Sequence, residues 1–92
     1  MEALNEVWHI RVEGKVQGVW FRKHTLETAL QMGIRGWVRN ELDGSVAIAA
    51  EGRKEQLDAF VLWCRRGAPL SVVQNVEVVI GKPESFDDFK II

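Results

Sequence analysis

Cysteine occurs once in these 92 residues, at Cys64. The chain therefore cannot close an intramolecular disulfide or build a cysteine-rich metal site. A lone thiol fits a reducing compartment. No apolar run approaches the length of a transmembrane helix. Met1 to Glu6 holds two acidic side chains and no basic one, which is not the charged-then-apolar layout of a secretion signal. These absences point to a cytoplasmic protein without a membrane partner. Clustered basic charge is missing too. Twelve Lys and Arg stand against thirteen Asp and Glu, a formal net charge of −1, so no electrostatic footprint for nucleic acid or an anionic membrane is visible. Internal repeats and low-complexity segments are lacking.

What remains is a chain with 47% apolar residues, enough for one core. Its length argues for a single domain spanning residues 1–92, with a monomer as the default. Val7 to Glu13 reads as a strand, because Trp8, Ile10 and Val12 alternate with His9, Arg11 and Glu13. From Arg22 the period becomes helical, with Leu26, Ala29, Leu30 and Gly33 in phase and Gly33 placed as a C-terminal stop. Ile34 to Asn40 is a second strand, with Ile34 and Val38 on one face and Trp37 on the other. Asp43-Gly44 signals a hairpin. Val46, Ile48 and Ala50 continue as a third strand. A second helix runs from Lys54 to Arg66, with Leu57, Phe60, Val61 and Cys64 as its apolar stripe, and Gly67 and Pro69 end it. Val72 to Ile80 is a fourth strand, and Phe86 to Ile92 can add a short fifth. This order gives an α+β, ferredoxin-like split βαβ sandwich. Its antiparallel sheet has four to five strands, and right-handed crossovers put both helices on one face.

The chemistry-bearing segment is Gly14-Lys15-Val16-Gln17-Gly18-Val19-Trp20-Phe21-Arg22, which joins the first strand to the first helix. Its glycines permit backbone angles that let successive N–H groups converge on an anion. The following helix start is electropositive, and Arg22 adds a permanently charged planar fork suited to phosphate oxygens. The segment is neither a Walker A loop nor a dinucleotide fingerprint. Pattern alone leaves two readings open: a phosphate cradle, or a strand-to-helix loop whose glycines only turn the chain.

Gly14-x-Val16-Gln17-Gly18-Val19-x-Phe21-Arg22 resembles the signature loop of the acylphosphatase family. Gly36-Trp37-Val38-Arg39-Asn40, followed by Asp43-Gly44-Ser45-Val46, resembles that family's second block, in the same order and at the usual separation. The likeness extends to Gly67-Ala68-Pro69 and the valine-rich fourth strand. The resemblance implies that Arg22 binds substrate and is catalytic, and that Asn40 orients the attacking water. It implies that backbone N–H groups of Gln17, Gly18, Val19 and Trp20 complete the phosphate cradle. The implied reaction converts an acyl phosphate and water to a carboxylate and inorganic phosphate, with no metal, cofactor or covalent intermediate. Inorganic phosphate, as product, would inhibit.

The residue inventory is compatible with that chemistry. It offers no serine–histidine–acid set, no metal-ligand cluster and no activated cysteine. An acyl phosphate expels a carboxylate whose conjugate acid has a pKa of only about 4, so the leaving group needs no strong general acid. His9 is expected to be exposed on the polar face of the first strand. His24 sits near a helix start, where a protonated imidazole is disfavoured. Asp87 and Asp88 read as a solvated turn, and Cys64 as packing. Trp8, Trp37 and Trp63 read as core or half-buried, while Trp20 can border the cleft at a variable position of the motif.

Three departures from the family pattern stand out. Glu41 replaces a common threonine and is expected to face away from Asn40. Gly67-Ala68-Pro69 replaces the commoner Gly-Pro-Pro, and a frequent C-terminal aromatic residue is absent. Two other functions fit the sequence less well. A single-strand nucleic-acid module would need exposed aromatics on the central strands, and Val46 to Ala50 has none. A non-catalytic anion sensor would keep the loop without needing Asn40. The domain could also belong to a larger protein that handles carbamoyl phosphate.

Overall fold

The computed structural model describes residues 4–92. The first three positions of the acidic N-terminal segment lie outside the described residues. Seven elements follow one another: β1 (Glu6–Lys15), α1 (Phe21–Gln31), β2 (Arg35–Asn40), β3 (Val46–Gly52), α2 (Lys54–Arg66), β4 (Val72–Ile80) and β5 (Phe89–Ile91). The strands form one sheet in the order β4-β1-β3-β2-β5. This is the split βαβ layout, with β1 and β3 in the centre.

Period-two patterning decides which way each strand faces. Trp8, Ile10 and Val12 of β1 turn inward, and so do Val46, Ile48 and Ala50 of β3 and Val38 of β2. Against them pack Phe21 and Ala29 of α1 and Leu57, Phe60 and Cys64 of α2. Each large side chain buried in this way stabilises the fold by roughly 1.5–3 kcal/mol relative to exposure. The α2 stripe is the one its sequence displays. In α1 the buried positions are Phe21, Thr25 and Ala29, whereas Leu30 is exposed. Thr25 tolerates full burial because its hydroxyl donates to the Phe21 carbonyl at 2.8 Å. Burial pushes the Cys64 thiol up to about 12, as expected of a packing residue rather than a nucleophile.

The β2–β3 pairing is close. Gly36 has φ +139, and a Cβ there would run into the Ala49 carbonyl, so no larger residue fits without displacing the strand. Among the described residues, no helix covers the polar face of the sheet, which carries His9, Arg11, Trp37, Arg39 and Glu41.

One expectation about direction needs correcting. β4, β1, β3 and β2 pair antiparallel with their neighbours, but β5 runs parallel to β2, with Gly36 beside Phe89 and Val38 beside Ile91, so the sheet is mixed. The connection from β4 explains it. β4 ends beside the start of β1, and the chain crosses the sheet end before rising along β2. That crossing is pinned at several points. Gly81 N–H donates to the Val7 carbonyl at 2.7 Å, and Gly36 N–H to the Asp88 carbonyl at 2.8 Å. The buried Glu51 carboxylate accepts from Phe86 N–H at 3.1 Å. Among the described residues, no helix is long and apolar enough to cross a membrane.

Candidate active site

The loop between β1 and α1 is held by its own apolar residues. Val16 and Val19 are buried in the core, so the intervening Gly18 is turned outward. Gly18 has φ +73, and open space surrounds the position a Cβ would take. Trp20 has φ 63 and ψ 19 and serves as the N-cap of α1 without any side-chain cap bond. Two left-handed residues within three positions curl the backbone. Among the described residues, the N–H groups of Gln17, Gly18, Val19 and Trp20 donate to no protein acceptor. The helix start adds to this polarity. Its first turn contains no acidic residue, and Arg22, Lys23 and His24 crowd basic groups where the helix dipole is already positive.

Arg22 is half-buried, and among the described residues its guanidinium has neither a salt bridge nor a hydrogen bond to protein. Asn40 ends β2 in phase with Val38, which directs it to the helix side of the sheet. Its side-chain amide is likewise without a protein partner among the described residues. The two line one cleft of about 490 Å³, together with Val16, Gly18, Trp20, Phe21, Lys23 and Ile91. The cleft thus offers an unpaired cation, an unpaired amide and a curled backbone.

Gln17 and Val19 do not line it. The Gln17 side chain reaches the β2–β3 hairpin, donating through Nε2 to the carbonyls of Glu41 and Ser45, both at 2.8 Å. This ties the loop to the turn that follows Asn40. The Val19 side chain faces the core. Only the backbone of either residue is available to a ligand. Glu41 bonds Arg39 at 2.9 Å and borders the open sheet face, on the opposite side from Asn40. His9 is exposed on that same face. His24 lies outside the cleft, 3.9 Å from Glu27. Lys23 and Ile91 were not singled out from sequence. Lys23 could have been, as the neighbour of Arg22 in the first helical turn. Nothing local marks Ile91, which depends on the β5 pairing.

Asp43 shapes the hairpin beside the site. Its Oδ1 accepts from the Ser45 hydroxyl at 2.6 Å and the Ser45 N–H at 3.0 Å, while Oδ2 takes a short bond from Arg11. The Ser45 bonds, then the Arg11 guanidinium, lower its carboxyl from 3.8 to about 2. A depressed folded-state value means the ionised form stabilises the fold above the ordinary value and that this help is lost as pH falls towards the folded one. Asp43→Ala should therefore lower the melting temperature near neutrality. The gap from wild type should narrow as pH falls below 3.8 and through about 2. Thermal melts across that range check it; a gap constant with pH would show that the charge plays no part.

Against known proteins, the chain matches the family model Acylphosphatase over residues 8–91. It is 45% identical, over 83 residues, to an acylphosphatase of Trichormus variabilis, covering 90% of this chain and 82% of that one. The solved acylphosphatase structure from Coxiella burnetii superposes with a TM-score of 0.93 at 31% identity, covering 97% of this chain and 94% of that one. HypF of T. kodakarensis contains a similar region, with a TM-score of 0.80 and 36% identity over 94% of this chain but 11% of that one.

Proposed function

The chain belongs to the acylphosphatase family, and on that premise we propose that it hydrolyses the carboxyl–phosphate bond of acyl phosphates through Arg22 and Asn40. The observation that carries the residue assignment is that these two polar groups, without a protein partner among the described residues, line one cleft. In this reading the Arg22 fork holds two phosphoryl oxygens. The N–H groups of Gln17, Gly18, Val19 and Trp20 and the start of α1 take up the remaining charge. The bound phosphate also neutralises the basic first turn of α1, an electrostatic conflict that the free chain carries.

Phosphoryl transfer through a loose transition state requires mainly positioning and charge stabilisation. Water attacks phosphorus in line with the bond to the acyl oxygen. That bond breaks, its electron pair leaves with the carboxylate, and inorganic phosphate forms. Asn40 orients the water by its amide but cannot take its proton, because a neutral amide is not a base at ordinary pH. A non-bridging phosphoryl oxygen accepts that proton. The leaving carboxylate needs none, since its conjugate acid has a pKa of about 4.

No metal takes part in this scheme. The proposal extends to a monomer acting in the cytoplasm and inhibited by its product phosphate. Its test is hydrolysis of benzoyl phosphate by the purified chain with a chelator present. Turnover well above the uncatalysed rate, competitively inhibited by phosphate, is the expected result. A chelator-sensitive reaction would overturn the metal-free mechanism, and a folded but inert chain would favour an anion-binding domain.

A further inference from the structure

Trp20 is an expensive residue at its position. A bulky side chain is disfavoured at φ 63, which glycine would adopt freely. Its indole is nevertheless 70% exposed, so core packing does not offset that strain. The Lys23 ammonium lies 5.8 Å from the ring centroid, a weak interaction in solvent. A strained backbone and a large ring left in water occur together on the wall of the cleft that holds Arg22 and Asn40. Ile91 lines the same cleft and is 41% exposed, carried there by the parallel pairing of Ile91 beside Val38.

Building on the acyl phosphatase reading above, we infer that Trp20 and Ile91 form the subsite for the acyl group. With the phosphoryl end held by Arg22, the substituent on the carbonyl must lie elsewhere in the cleft, whose exposed apolar groups are these two. An indole face and a branched aliphatic side chain favour a planar aromatic or branched apolar substituent by area burial and ring contact. They give nothing comparable to a methyl or amino substituent. The substrate class is therefore acyl phosphates bearing an aromatic or bulky aliphatic group, rather than acetyl or carbamoyl phosphate.

The test compares kcat/KM for benzoyl phosphate and acetyl phosphate in wild type, Trp20→Gly, Trp20→Phe and Ile91→Ala. Comparing the benzoyl-to-acetyl ratio of each variant with that of wild type cancels the intrinsic reactivities of the two anhydrides. Trp20→Gly, which also relieves the backbone strain, should lower the benzoyl-to-acetyl ratio about tenfold, within the range hydrophobic pockets give for small changes in fit. Trp20→Phe should keep most of the preference, and Ile91→Ala should shift the ratio in the same direction as the glycine variant. Equal losses on both substrates, leaving the ratio unchanged, would mark Trp20 as a loop-positioning residue and overturn the inference alone. A wild-type chain that hydrolyses neither anhydride would overturn the underlying reading and the subsite with it.

Discussion

Replacing Arg22 by alanine is expected to lower kcat/KM for an acyl phosphate at least about a thousandfold, roughly 4 kcal/mol of transition-state stabilisation. The size follows from what is lost together: a permanent charge, two parallel hydrogen bonds and the fixed orientation of the phosphoryl group. Lysine should not rescue. Its ammonium is a compact point charge on a flexible stem and cannot reproduce the planar fork, so Arg22→Lys should keep on the order of 1% of activity or less. Stability should move the other way. Because Arg22 bonds to no described protein group and sits at the positive end of α1, its removal should leave the melting temperature unchanged or raise it slightly. Steady-state kinetics and a thermal melt on the same preparation check both halves. Near-normal turnover in either variant would remove Arg22 from the mechanism. Lost activity accompanied by a large fall in melting temperature would make it a structural residue instead.

Replacing Asn40 by alanine is expected to lower kcat about a hundred- to a thousandfold, as for loss of one well-placed polar group at a reacting centre. Affinity for inorganic phosphate should change by no more than about threefold, because phosphate already occupies the site that the water would attack. This split between turnover and binding distinguishes a residue that places water from one that holds the anion. Asn40→Asp should behave differently. A carboxylate facing the bound phosphate adds like-charge repulsion, so phosphate affinity should fall along with turnover. The fold should survive either change, since the Asn40 side chain makes no bond to the described protein and is exposed. Inhibition constants for phosphate measured beside kcat decide the question. A parallel collapse of both in the alanine variant would assign Asn40 to binding or to the architecture of the hairpin.

Much of this molecule was legible in order along the chain. β4 spans the same residues in the sequence reading and in the structure, and the apolar stripe of α2 is buried as its spacing required. Alternation at period two and recurrence near 3.6 are local consequences of backbone geometry, so sequence carries them directly. The stripe of α1 is less legible. A satisfied hydroxyl let Thr25 into the core while Leu30 was left in solvent, and hydrophobicity alone does not record hydrogen bonding. The parallel direction of β5 was also illegible, because a strand's pattern is the same read either way and direction depends on which edge the preceding crossover reaches.

For the site, the sequence by itself determined the membership of the loop: two glycines, valines on either side of Gly18, and an arginine in the first turn of a helix. It also placed Asn40 at the end of a strand, in phase with a core residue. Only the tertiary structure decided that these two meet. β3 lies between β1 and β2 in the sheet, and the loop leaving β1, the first turn of α1 and the end of β2 line one cleft across it. Neither the Gln17 brace to the hairpin nor the arrival of Ile91 at the cleft has a local signature, because each is a contact between segments remote in sequence. That Arg22 has no protein partner among the described residues was equally invisible. Whether a charge is paired depends on every other charge in the folded chain, and that is settled only when the chain has closed around it.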